Sequence, residues 1–193
     1  MLLGQAHQLR GRRSFRGGLG PLLRHIFQCR HLGTSSPSIH SACRAKTPIT
    51  KQSPKSRHNP QFGQEALDKS LTYRGIGYLR LEALGGLRPT VKNTVNGAWR
   101  NASFRGYADY MQTDAFSKAV DDLCEIAKDR VTVIMCAEAV PWRCHRSMIG
   151  DALLVRGYEV LDIMTLTSVK AHTLTSFAKV DGTSIWYPST DLE

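Results

Sequence analysis

The first sixty residues contain no aspartate or glutamate, against eleven lysines and arginines. Residues 61–193 carry fifteen basic and sixteen acidic side chains, so the formal charge of +10 belongs to the head alone. An acid-free, arginine-rich, serine-containing head resembles an organellar transit peptide in composition. It suits a secretory signal poorly, because no clean apolar segment precedes a small-residue cleavage site. No run approaches the ~20 apolar residues of a membrane span, and no membrane partner is expected. The five cysteines are odd in number and the chain is not small, which argues against a disulfide framework and for a reducing compartment. The expected location is cytoplasmic, or organellar if residues 1–52 are a transit peptide.

The head also lacks periodicity. Gly17-Gly18, Pro21, Gly33, Pro37, Pro48 and Pro54 interrupt it repeatedly, so residues 1–52 read as a basic, disordered extension. Order is expected from about residue 53. Phe62, Ala66, Leu67 and Leu71 mark one face of a helix over 61–73, and Tyr78–Leu81 reads as a strand. Residues 89–105 read as a long surface loop, a lid or binding segment. A short helix at 107–111 and a longer one at 115–128 follow. Val131–Met135 is short, apolar and β-branched, as in a strand buried on both faces. A helix over 144–156, a strand at 159–163 and a hairpin around Asp181-Gly182 complete the chain. Alternating strands and helices predict a three-layer, Rossmann-like α/β domain with a largely parallel sheet over residues 53–193.

The segment Cys136-Ala-Glu-Ala-Val-Pro-Trp-Arg-Cys144-His145-Arg146 joins that apolar strand to the next helix. It contains no glycine to let backbone N–H groups close on a phosphate, so it is not a nucleotide P-loop. Trp142 stands where a Cys-x5-Arg phosphatase loop has arginine. Cys136, Cys144 and His145 lack an apparent fourth ligand and have wide spacing, so no metal and no cofactor is expected. Cys136 reads as a small apolar end to the strand. Cys144 lies at a helix start beside Arg143, His145 and Arg146, all of which favour thiolate over thiol; its alternative is simple packing. Glu138 can serve as a base or orient His145, or else form an ion pair with Arg146. Arg57, Arg88, Arg100, Arg105 and Arg146 fall in loops or at element ends, and guanidinium groups bind phosphate in a planar fork. Trp99, Phe104, Tyr107 and Tyr110 lie among them, with Trp99 or Tyr107 suited to stacking on a base. Ordinary surface ion pairs are the competing account of these arginines. Asn101-Ala-Ser103 matches a glycosylation acceptor, set aside for want of a secretory route.

Ser56-Arg-His-Asn-Pro-Gln-Phe62, Leu84-Gly-Gly-Leu-Arg88, Trp99-Arg-Asn101, Phe104-Arg-Gly-Tyr-Ala-Asp-Tyr110 and Met135-Cys-Ala-Glu138 through Arg146 form an ordered set. With His172–Ala178 and Tyr187-Pro188, they resemble the bacterial family called domain of unknown function 488 over residues 53–190. The resemblance implies a three-layer α/β domain and carries no settled activity. Members of that family open with a strand ending in an Ile-Gly-His-Ser-type turn, a helix and a second strand. Here Ser56 follows Ile39-His40-Ser41 too closely for such a unit. Either the frame or start upstream of Lys55 is wrong, or another extension has replaced the unit; the acid-free composition favours the first.

The functional expectation is an α/β domain binding a nucleotide, nucleic acid or other phosphate-bearing small molecule. Cys144, His145 and Glu138 form its reactive set. A non-catalytic nucleic-acid or protein-binding module and an inactive truncated family member are the alternatives.

Overall fold

The computed structural model describes residues 2–4, 26–31, 63–128, 132–136, 143–164 and 168–189. The elements are β1 (Leu2–Gly4), β2 (Ile26–His31), α1 (Gln64–Tyr73), β3 (Tyr78–Arg80), a 3₁₀ turn (Glu82–Leu84), α2 (Ala102–Tyr110) and α3 (Asp114–Ala127). After them come β4 (Thr132–Met135), α4 (Arg146–Leu154), β5 (Tyr158–Ile163), β6 (Val169–Ala171), β7 (Lys179–Asp181) and β8 (Ser184–Trp186).

The parallel Rossmann-like sheet expected from the sequence is not formed. Six strands are ordered β3-β1-β4-β2-β5-β6, and β7 and β8 make a separate hairpin. Every paired neighbour is antiparallel. The physical reason lies in two segments of the head. β3, β4 and β5 run in one direction, as the alternating pattern suggested, but β1 lies between β3 and β4 and β2 between β4 and β5. The inserted strands run the other way, so each junction becomes an antiparallel ladder. The head expected to be disordered thus supplies two strands; the rest of residues 1–52 lies outside the described residues.

α3 forms where the sequence places it. Phe116, Ala119, Val120, Leu123 and Ala127 recur at helical spacing and all are buried. Thr113 caps it by accepting from Phe116 N at 3.3 Å. α2 begins earlier than the expected 107–111 helix, because the Asn101 side chain accepts from Ser103 N at 2.8 Å and starts the helix at Ala102. α3 and α4 pack on each other and against β2, with α4 also against β5. The core under them holds Leu84, Tyr107, Val120, Leu123, Ile134, Met148, Ile149, Leu153 and Tyr187. Each such side chain contributes about 1.5–3 kcal/mol on burial. Among the described residues no helix is long and apolar enough to cross a membrane.

The segment expected to be a long loop or lid is tied down along its length. Asp109 accepts from Val91 N at 3.1 Å, from Thr94 Oγ1 and from Asn96 Nδ2 at 2.9 Å. Burial opposes its charge, yet these donors hold the Asp109 carboxyl below its ordinary range. Asn96, fully buried, in turn accepts from Tyr187 N at 2.9 Å, so the loop is stitched to the far end of the chain. α2 approaches it so closely that a Cβ at Gly106 would sit 2.3 Å from the Arg88 carbonyl oxygen.

Candidate functional site

β4 delivers Cys136 at its C-terminal end, and α4 starts two residues after Cys144. Residues 137–142, including Glu138 and Trp142, lie outside the described residues, as does Arg57. The two sulfurs meet: Cys136 Sγ and Cys144 Sγ are 2.8 Å apart. Cys144 Sγ also accepts from Arg146 Nε at 3.1 Å and from Arg146 N at 3.4 Å, and His145 Nδ1 stands 3.8 Å away. A thiol at the head of a helix meets backbone N–H groups with no intrahelical partner, which favours negative charge there.

These contacts act in one direction. The hydrogen bond from Cys136, then that from His145 and the charge of Arg146, overcome desolvation and push the Cys144 thiol down to about 4. Cys144 is only 1 % exposed. Arg146 is fully buried, so the thiolate places a negative charge against a guanidinium that water does not reach. Cys124, by contrast, is pushed up by burial and behaves as a packing residue.

The His145 ring lies between Tyr107 and Gly86. Its centroid is 4.9 Å from that of Tyr107, and a Cβ on Gly86 would fall 2.3 Å from Nδ1. Its Nε2 is buried with no hydrogen-bond partner among the described residues. Tyr107 donates its hydroxyl to the Leu84 carbonyl at 3.2 Å and is fully buried. Its ring therefore supports His145 and offers no face to a stacked base. Trp99 is likewise engaged: it stacks on Phe104 at 5.0 Å and meets Phe177 and Tyr187 edge-on.

Among the described arginines singled out in the sequence, Arg88 and Arg105 bond to backbone carbonyls. Arg88 donates to the carbonyls of Gly85, Glu82 and Ala83 and lies 3.8 Å over the Tyr110 ring. Arg105 donates to the carbonyls of Trp99 and Arg100. Through these bonds the two guanidinium groups brace their own loops. Arg100 is exposed. Of the described arginines in the expected set, Arg146 alone contacts Cys144, and it does so from below the surface.

Cys136, Cys144 and His145 present three donor atoms within 4.8 Å of one another. A soft divalent metal is the class of ion such donors suit. Tetrahedral zinc with Zn–S bonds of about 2.3 Å would hold two sulfurs roughly 3.8 Å apart. The observed sulfurs are closer than that and a guanidinium bonds to Cys144, so the spacing is not that of a tetrahedral zinc site.

A second buried polar cluster escaped the sequence reading. Asp151, fully buried in α4, accepts from the Tyr187 hydroxyl at 2.9 Å and Thr175 N at 3.0 Å. His172 bridges Asp151 and Asp162, 3.2 Å from each, and packs against Gly150. Desolvation disfavours its charge, but the two carboxylates prevail and raise His172 to about 9. A carboxylate inside the apolar stretch Met148–Leu154, Asp151 between Ile149 and Leu153, was the available signal.

Fold and site together define a domain of helices on an antiparallel sheet, with a paired-cysteine centre where a core strand hands over to a helix. The chain belongs to the family described as Domain of unknown function DUF488, whose model matches residues 49–153. Comparison with curated proteins and with solved structures returns no match.

Proposed function

We propose that the protein is an enzyme whose nucleophile is the Cys144 thiolate. The observation that carries this reading is what converges on one sulfur: Arg146 Nε and Arg146 N as donors, with the Cys136 sulfur 2.8 Å away. A thiolate is the nucleophilic form of cysteine, and such surroundings maintain it at neutral pH. Its sulfur would add to an electrophilic carbon or phosphorus, and the leaving group would take a proton from His145. The neighbouring Cys136 would stay protonated and hold the thiolate in place. An anionic substrate is part of the proposal on a narrower footing than five arginines. Its support is the N-terminus of α4, with exposed Arg143 beside Cys144. Glu138 keeps its proposed part as a base on the strength of its place in the chain.

A second reading is favoured by the burial of Cys144. A thiolate 1 % exposed beside a fully buried guanidinium also makes a structural ion pair within a non-catalytic binding module. Turnover of chromogenic carboxylic and phosphate esters separates the two, measured with binding of the same esters and a thermal melt for each chain. Under the enzymatic reading, Cys144→Ser loses turnover by about 10³-fold or more while ester binding stays within a few-fold. Equal loss of binding and turnover, with a lowered melt, establishes the structural reading.

A further inference from the structure

We propose that Cys136 and Cys144 form a redox-active pair, passing between dithiol and disulfide and so switching this centre off and on. The inference rests on the reading of Cys144 as a thiolate, and adds a role for Cys136 that nucleophilic catalysis does not require.

Three observations lead to it. The sulfurs are 2.8 Å apart, and a disulfide of about 2.05 Å needs a closure of under roughly 1 Å. The partners are unequal: Cys144 is buried and drawn toward the thiolate by its donors, whereas Cys136, at the strand end, is partly exposed. The Arg146 donor marks Cys144 as the attacking sulfur, and Cys136 lies close enough to resolve it. Cys124, the other cysteine whose side chain is described, is buried with its hydroxyl neighbour Tyr158 bonded to its carbonyl instead, and stands outside the pair.

A hydroperoxide is the oxidant class that this arrangement suits, being small enough to reach a nearly buried sulfur. The Cys144 thiolate attacks one peroxide oxygen and the O–O bond breaks. Hydroxide leaves and takes a proton from solvent, and Cys144, oxidised by two electrons, becomes a sulfenic acid. The Cys136 sulfur then attacks the Cys144 sulfur, forming the S–S bond and breaking the S–O bond. The departing hydroxide carries off the Cys136 proton as water. A dithiol reductant reverses the change by thiol–disulfide exchange. Oxidation removes the nucleophile and also the negative charge facing Arg146, so the start of α4 registers the redox state.

The test uses the full chain, reduced and then freed of reductant, treated with equimolar hydrogen peroxide and mapped by peptide mass spectrometry. The expected product is a Cys136–Cys144 linked peptide lacking two hydrogens. In Cys136→Ser the reaction should stop at the sulfenic acid, captured by dimedone at Cys144. Dimedone capture at Cys144 of the unaltered chain, without a linked peptide, overturns the pair and leaves the thiolate intact. Absence of thiolate ultraviolet absorbance from Cys144 below the ordinary thiol pKa range overturns the pair and the thiolate together. A metal in the purified chain that blocks oxidation until chelated also overturns it.

Discussion

At the scale of single residues, the site is organised by who faces the Cys144 sulfur. Arg146 approaches it from the buried side, Cys136 from the strand end, and His145 more distantly. Altering the Arg146 donor should therefore change the reactivity of Cys144. Arg146→Lys keeps a charge but cannot reproduce the Nε geometry, since lysine carries a point charge on a flexible stem. Iodoacetamide alkylation of Cys144 in that variant is expected to shift its midpoint upward by one pH unit or more. An unchanged midpoint would remove Arg146 from the account. The sequence singles out Cys144, His145 and Arg146 as candidates because they stand together at a helix start. It undervalued Cys136, read as an apolar strand end, because eight positions of chain separate two sulfurs that the fold brings together. Arg88 and Arg105, singled out as ligand-binding, bond to carbonyls of their own loops. Guanidinium groups in loops look the same in a sequence whether they await a ligand or bond to carbonyls already nearby.

At the scale of elements, capping and close approach fix where the helices begin and how they meet. Thr113→Ala removes the acceptor for Phe116 N and is expected to cost about 1 kcal/mol, read as a lower denaturation midpoint with an unchanged slope. Gly86→Ala is a sharper probe, since its new methyl must displace the His145 ring. That variant should alter alkylation of Cys144 more than it alters the melt. A large melt change with unaltered alkylation would mean that His145 is merely packing. α3 was legible from its helical spacing and β4 from its continuous apolar, β-branched run. The start of α2 was missed although its signal was present: Asn101-Ala-Ser103 was weighed as a glycosylation acceptor rather than as a helix cap. The sheet order was not legible in local pattern. β1 and β2 come from a head without periodicity, and pairing partners separated by more than a hundred residues leave no trace in a short window.

At the scale of the whole molecule, two buried charge systems oppose each other in pH. His172 titrates at about 9 in the fold against 6.5 free, so its network stabilises fully below 6.5 and is lost as pH rises through 9. Cys144 is depressed from 9 to about 4, so its contribution is fully present above 9 and is lost as pH falls through 4. His172→Gln should lower stability by roughly 1–3 kcal/mol near neutrality, with the difference from the unaltered chain shrinking above pH 9. A difference independent of pH would show that His172 is neutral in the fold. The network ties α4 to the segment carrying Thr175 and Tyr187, so its loss should loosen the helix whose first turn holds the thiolate.

The charge on Cys144 is open to direct observation through the ultraviolet absorbance of thiolate, titrated in the unaltered chain and in Cys144→Ser. The difference between the two titrations isolates one sulfur. An inflection in the acid range, near 4, is the expected result. An inflection near the ordinary value of about 8.5 would show a neutral thiol at physiological pH, contradicting the nucleophile and the redox pair alike.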